Sequence, residues 1–480
     1  MTTARSFGWV FGAVTTLLVA ACGGGGGNDG GGGDDTGGID RGGVMIAQGT
    51  INGFGSVIVN GVRYSTSGAT ITVDGQAATE SDLRVGQVVR IEGTVDAGGT
   101  TGTARSITFD DEVEGPVQGI DPVTARLVVL GQTVQVGAGT SFDDSIVPRS
   151  LEGLAVGDRV EVSGLVGADG VIAATRIELK TIAGPLEVKG TVESVDTVAR
   201  RFRINQLQVD YATATLGGFT SGQPANGDLV EAKGAIDASG VLVATRVERR
   251  SASLSGTIED RADLEGLVTR YVSATDFDVA GQRVTTTTGT RYEGGTAASL
   301  ALNVAVEVEG GFDAAGRVVA TEVEFRPLSD VELAGSVESV APAAGSLVLL
   351  GVTVRTTPIT RFEDQSSADV EQFDLADLRV GDYVEIRAYD DGSGLVATLL
   401  ERDDPESGVE VQGIATDVVQ PDFRVAGIPI TTGPLTEYRD NNGASITAAT
   451  FFATAGGREV KVRGSQIGDT VLAERAELED

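Results

Sequence analysis

After residue 43 the chain alternates apolar and polar positions in short runs broken by glycine. VIVNGVRY, LVVLGQTV, FRINQLQV, FDVAGQRV, LVLLGVTV and FRVAGIPI each set an apolar residue at about every second position on both sides of a two-residue loop. That period marks a half-buried strand, and the loop between two such strands makes a hairpin. Asn60-Gly61 suits a type I′ turn because both positions tolerate positive φ. Gly131, Gly281, Gly351 and Gly427 hold the equivalent place, whereas Gln206 departs from it, so that turn must differ.

The hairpin is one part of a longer unit. An apolar-x-Gly strand precedes each copy, ending at Gly49, Gly119, Gly190, Gly256, Gly335 and Gly413, spaced 66 to 79 residues apart. A third block follows each hairpin: VGQVVRIEG, VGDRVEVSG, NGDLVEAKG, LNVAVEVEG, VGDYVEIRA and GGREVKVRG. A closing strand of the ADGVIAATRIEL type completes the unit. Five strands, with only a short segment such as ESDLRVG before the fourth, predict an all-β chain of six tandem OB-like barrels whose usual helix has shrunk to a turn. The boundaries read 44–112, 113–181, 182–250, 251–327, 328–404 and 405–480. Residues 366–378 (SSADVEQFDLADL) differ: Val370, Phe373, Leu375 and Leu378 make a helical stripe that predicts a small helix plugging the fifth barrel. Domains of this size bury only about 60% of their unfolded surface and are marginal alone. With short links such as 181–185 and 402–407, neighbouring barrels are expected to pack into a semi-rigid rod.

The G-D-x-V-E-V-x-G block and the G-x-x-x-A-T-x-Φ-E strand resemble the bacterial domain of unknown function 5666 family. The resemblance covers nearly everything after Val44. It implies short all-β domains, in tandem, on a lipoprotein, and it carries no activity to transfer. Gly157-Asp158, Gly227-Asp228 and Gly381-Asp382 match the block, while Gln87, Asn303-Val304 and Arg458 replace it elsewhere. An essential acid would not vanish from half the copies. Asp158, Asp228 and Asp382 therefore read as turn residues whose carboxylates accept backbone N–H groups.

The N-terminus gives an address. Arg5 precedes an apolar core (FGWVFGAVTTLLVAA), about the length of a secretion signal and short for a membrane span. Val19-Ala20-Ala21-Cys22 resembles the bacterial lipobox and holds the only cysteine of the chain. The resemblance implies a signal peptide over 1–21 and acylation of Cys22, with enough acyl chains for stable anchoring. Gly23 in place of aspartate favours the outer membrane. Residues 22–43, rich in glycine, read as a flexible tether with a reach of roughly 25 Å.

Composition excludes much chemistry. Histidine is absent, which removes Ser-His-Asp and Cys-His catalysis and imidazole metal sites. The four lysines, Lys180, Lys189, Lys233 and Lys461, sit in or beside predicted strands and give a Ser-Lys dyad little support. A net charge of −33 repels nucleic acid. Aromatics are scarce, and Trp9 leaves with the signal. The acidic groups Asp110-Asp111-Glu112, Asp143-Asp144, Asp390-Asp391 and Asp403-Asp404 lack a calcium-loop pattern and read as solvated loops; Asp440-Asn441-Asn442-Gly443 only echoes one. No catalytic residue, cofactor or metal site is assigned, and no ligand is named. The expected function is a non-enzymatic envelope lipoprotein that presents acidic β-modules to an envelope protein or glycan, or acts as a spacer. A carboxylate-dependent polysaccharide hydrolase and a divalent-cation-dependent adhesin are the alternatives.

Overall fold

A computed structural model describes residues 43–479 apart from 55, 123, 138, 182–183, 327–328, 330, 371 and 442. The predicted signal, Cys22 and nearly all of the tether lie outside the described residues.

Alternation produces strands, and the strands close into rings. In repeat 2 the first strand (Val113–Asp121) pairs with the second (Arg126–Val129), and the second with the third (Gln132–Gln135). The third runs parallel to the fifth (Ile172–Leu179), which pairs with the fourth (Arg159–Val166), and the fourth returns to the first. This 1-2-3-5-4-1 circuit is the OB connectivity. The other repeats trace it too, the first strand of repeat 3 being bent into Leu186–Thr191 and Glu193–Asp196. The hairpin turns take the expected conformation, with Asn60 and Gly61 at φ 51° and 74°. In repeat 3 only Asn205 of the Asn205-Gln206 pair has positive φ, so that turn does differ.

One backbone tie recurs in all six repeats. Val117 N–H donates to the Asp158 carbonyl at 2.7 Å, and Gly157 N–H donates back to the Val117 carbonyl at 2.8 Å. Ile51 with Gln87, Val192 with Asp228, Val268 with Val304, Val337 with Asp382 and Ala415 with Arg458 receive the same treatment. Main-chain atoms alone make this tie, so the side chain after the glycine is free to vary. Where aspartate is present it fixes the turn: Asp158, Asp228 and Asp382 accept the N–H of Ala155, Ala225 and Arg379 at 2.7, 2.9 and 3.0 Å. Gln87 accepts from Arg84 at 2.9 Å in the same way. The block's final glycine has a separate reason: a Cβ on Gly164 would lie 2.5 Å from the Ala173 carbonyl of the bulged fifth strand.

A second recurring device holds the third strand where it breaks. Thr140, Thr290, Thr360 and Thr436 each accept the N–H three residues earlier and donate to the carbonyl of Ala174, Ala320, Ala397 and Ala473, at 2.6 to 2.8 Å. The stretch that follows corrects one expectation. Residues 366–378 form turns and bends, without a helix among the described residues. Phe373, Leu375 and Leu378 are nonetheless buried in the core of repeats 5 and 6. Two aspartate-centred turns compete with helical bonding: Asp364 accepts the Ser366 and Val370 N–H groups, and Asp374 accepts that of Ala376. The α-helix of the described residues is instead Ala448–Thr454 in repeat 6, capped by Thr447 and burying Phe451.

The repeats do not make a rod. Repeats 2 and 3 join through their first strands, Val113 opposite Val188, and repeats 5 and 6 join alike, Leu333 opposite Val411. Each of these pairs shares one apolar core. Repeat 1 skips its sequence neighbours and pairs in parallel with repeat 4, Met45 to Gln48 against Arg261 to Leu264. Its Ile46 side chain enters repeat 4's core. Polar contacts cross the remaining gaps: Val88 N–H to Ser163, Ala168 N–H to Asn303, and Asn52 to the Ile359 carbonyl. The chain from Arg41 onward is one unit. Unpaired strand edges, not sequence order, select the neighbours.

Thr360 is 2% exposed. Thr360→Val keeps its shape but orphans the Ala397 carbonyl, and should destabilise the chain by about 1–3 kcal/mol in urea unfolding. An unchanged midpoint would show that the latch contributes nothing.

Candidate functional site

Charge gathers where repeats 2 and 3 meet. Strand register sets Lys233 opposite Glu187, Glu187 opposite Glu114, Glu114 opposite Glu161 and Glu161 opposite Glu178. Paired residues share a face of the sheet, and their alternate neighbours Val113, Val162, Val188 and Ala232 fill the barrels. The charged row therefore lies outside the barrels. Four glutamates side by side repel one another. Basic side chains offset this: Lys233 lies 2.5 Å from Glu187 and 3.2 Å from Glu231, Arg159 2.7 Å from Glu114, and Lys180 2.6 Å from Glu161. Lys189 pairs with Glu112 at 2.5 Å. Three of the four lysines thus serve this one junction, and Lys461 pairs with Glu410 at the seam of repeats 5 and 6.

Repeat 1 covers the row and adds acid. Asp74 sits at φ 49° in the tight turn between Thr70–Val73 and Gln76–Ala78, and Asp111 lies in the link from repeat 1 to repeat 2. Asp74 accepts the Asp111 N–H at 3.2 Å, and Lys233 Nζ reaches the Asp74 carbonyl at 3.5 Å. Asp111 is 1% exposed, and neither of its carboxylate oxygens has a hydrogen-bond partner. Glu187 Oε1 is unpartnered as well. Carboxylate oxygens of Asp74, Asp111 and Glu187 lie within 4.8 Å of one another, as do those of Asp111, Glu114 and Glu161. Burial raises the carboxyls: Asp111 well above its usual range, with repulsion from Glu187 and Asp74 adding to it. Burial likewise pushes Glu161 up to about 7 and, with Glu231, Glu187 up to about 8.

The seam of repeats 5 and 6 repeats the layout with less acid. Its row reads Arg463, Glu410, Ala334, Glu385, Glu401. Ala334 stands where Glu114 stands in the first seam, and Val331 where Asp111 stands. Glu401 is 6% exposed, and burial with repulsion from Glu363 pushes it up to about 8, against Arg387 and Arg149.

The solvated-loop reading of Asp110-Asp111-Glu112 is therefore corrected. The link is sealed under repeat 1 because repeats 1, 2 and 3 converge on it. Asp144, Asp390, Asp391 and Asp404 are exposed as expected, while Asp403 pairs with Arg149 of repeat 2. Asp74, Glu114, Glu161 and Glu187 carried no sequence signal beyond the strands and turn that hold them. The scarcity of lysine was the one usable hint. Elsewhere, a cleft of about 220 Å³ between repeats 2 and 3 is lined by Gly131, Asp169, Asn205 and Gln206 among others. That volume is below the roughly 300 Å³ at which small-molecule pockets begin. Among the described residues no helix is long and apolar enough to cross a membrane.

The pattern of the domain of unknown function DUF5666 matches residues 45–108, 114–178, 189–248, 265–324, 334–401 and 410–477. The chain belongs to the DUF5666 family. Each match spans one five-stranded ring, so a DUF5666 unit is an OB-like barrel, and here six of them pack as one body. No curated protein matches the chain. The acidic junction uses residues from repeats 1, 2 and 3, and at the other antiparallel seam Val331 takes the place of Asp111.

Lys233→Met strips Glu187 of its basic partner and should destabilise the chain by about 3 kcal/mol in urea unfolding. A loss below 0.5 kcal/mol, roughly that of an exposed pair, would remove Lys233 from the structural account. Glu401 keeps its proton in the native chain up to about pH 8 but loses it near 4.5 when unfolded. Its stabilising contribution is complete below pH 4.5 and is lost as pH rises through 8. Glu401→Gln should flatten that decline in thermal melts between pH 5 and 8; an identical slope would contradict it.

Proposed function

We propose that the chain is a lipid-anchored, non-enzymatic protein of the bacterial envelope, held in the outer membrane through Cys22. Its six barrels serve as one rigid acidic platform for binding an envelope protein or glycan, or for spacing. The observation that carries the reading is that first strands join the six units into three pairs and the pairs pack as one unit. Such a body presents loops from all units at fixed separations, which a flexible string of domains cannot do. The placement of carboxylates favours binding over hydrolysis. A glycosidase sets two carboxyls across a cleft open to the polymer. Here the tightest gathering of acids is sealed at Asp111, and the 220 Å³ cleft is lined by a single carboxylate, Asp169. The charge of −33 suits a basic or cation-bridged partner.

Fractionation tests the anchor: Cys22→Ser should move the protein from the membrane pellet to the soluble fraction, and unchanged sedimentation would overturn lipidation. Crosslinking in the native envelope should recover a defined protein or glycan. Turnover of envelope polysaccharide by the purified chain would replace this reading with the hydrolase.

A further inference from the structure

We propose that Asp74, Asp111, Glu114, Glu161 and Glu187 hold a hard divalent cation, of the calcium class, that locks repeats 1, 2 and 3 together. Acid content alone would not justify this. Asp111 marks the site: its two oxygens are buried and unpartnered, and it belongs to both carboxylate triads. A buried carboxylate without a partner costs several kcal/mol. Of the five carboxylates, Glu161, Glu187 and Glu114 have ion-pair partners in Lys180, Lys233 and Arg159, the junction's remaining lysine, Lys189, is taken by Glu112, and Asp74 and Asp111 are left without an ion pair among the described residues. A divalent ion at Asp111, the residue that the two triads share, supplies the two missing positive charges.

The chemistry of the donors selects the ion. All are carboxylate oxygens, which suit calcium or magnesium rather than softer metals. Oxygens within 4.8 Å of one another fit around a calcium ion, whose ligands lie at about 2.4 Å. Magnesium demands near-ideal octahedral geometry and keeps several waters, which a sealed carboxylate site supplies less readily. The two triads share Asp111, which makes it the common ligand. The ligands come from the hairpin of repeat 1, the link, both repeat 2 strands and the first strand of repeat 3, so an ion there ties three units at once. The other seam supplies an internal comparison: with Ala334 and Val331 at the matching places, its row needs no ion.

The test is a thermal melt of the chelator-stripped full chain with and without added calcium chloride, paired with a calorimetric calcium titration. Calcium should raise the melting temperature by several degrees with saturable heat, and magnesium should do so less. Asp111→Asn should abolish both effects. Glu114→Ala, which copies the residue of the second seam and so keeps a fold compatible with that register, should weaken binding at least tenfold. Asp169→Asn, outside the cluster, should change nothing. No calcium effect on the wild-type chain, or an equal effect in Asp111→Asn and Glu114→Ala, would overturn the site; a stripped Asp111→Asn chain more stable than stripped wild type, with no calcium response in either, would assign the cluster to shared protons instead.

Discussion

The open edge at the start of each first strand governs this architecture. Every first strand bends midway. Its later half pairs with the second strand, and its early half pairs with the fourth, leaving main-chain donors and acceptors on the far side of that early half. Glu114 illustrates it, paired with Glu161 within its own barrel and with Glu187 of the next. A buried main-chain group without a partner is costly, and an exposed edge invites aggregation. Each barrel therefore takes another barrel's first strand. Repeats 2 and 3, and 5 and 6, do so antiparallel; repeats 1 and 4 do so in parallel.

That pairing has an electrostatic consequence. When the two first strands meet antiparallel, inward-facing Val113 and Val188 lie opposite each other, and outward-facing Glu114 is set opposite Glu187. The block V-E-V places a glutamate on the same row of the fourth strand. Acid accumulates along the seam of repeats 2 and 3, and three of the four lysines, with Arg159, answer it. Lys180 and Lys233 are held charged by their glutamates despite partial burial. The seam of repeats 5 and 6 reaches balance with Ala334 in the row. The seam of repeats 2 and 3 instead takes on Asp74 and Asp111 when repeat 1 folds over it. One seam is saturated with charge, the other is not.

The rings themselves tolerate sequence drift because their key ties use main chain. Gly157, Asp158 and Val117 exchange backbone bonds that Asn303, Val304 and Val268 exchange equally well. An aspartate that is frequent but replaceable is thereby explained as a turn anchor, with Gln87 doing the same work in repeat 1. The threonine latch is the complementary case. Its hydroxyl both accepts and donates, so valine cannot replace it without orphaning a carbonyl.

Local pattern was sufficient for everything that depends on neighbours within about ten residues. Period-two alternation determined the strands, Asn-Gly and its relatives determined the hairpins, and the spacing of recurring glycines determined six units, because each of these is a short-range steric or solvation preference. Alternation also separated Val113 from Glu114, inside from outside, without saying what lay outside. The stripe at Val370, Phe373, Leu375 and Leu378 correctly marked burial but not helix, since aspartate-capped turns satisfy the same spacing. Which barrel docks on which was decided only by tertiary structure: the pairing of repeat 1 with repeat 4 joins residues more than two hundred positions apart, through edges that look alike in every unit. The burial of Asp111 followed from that docking, because a charged link is solvated or sealed according to what folds across it.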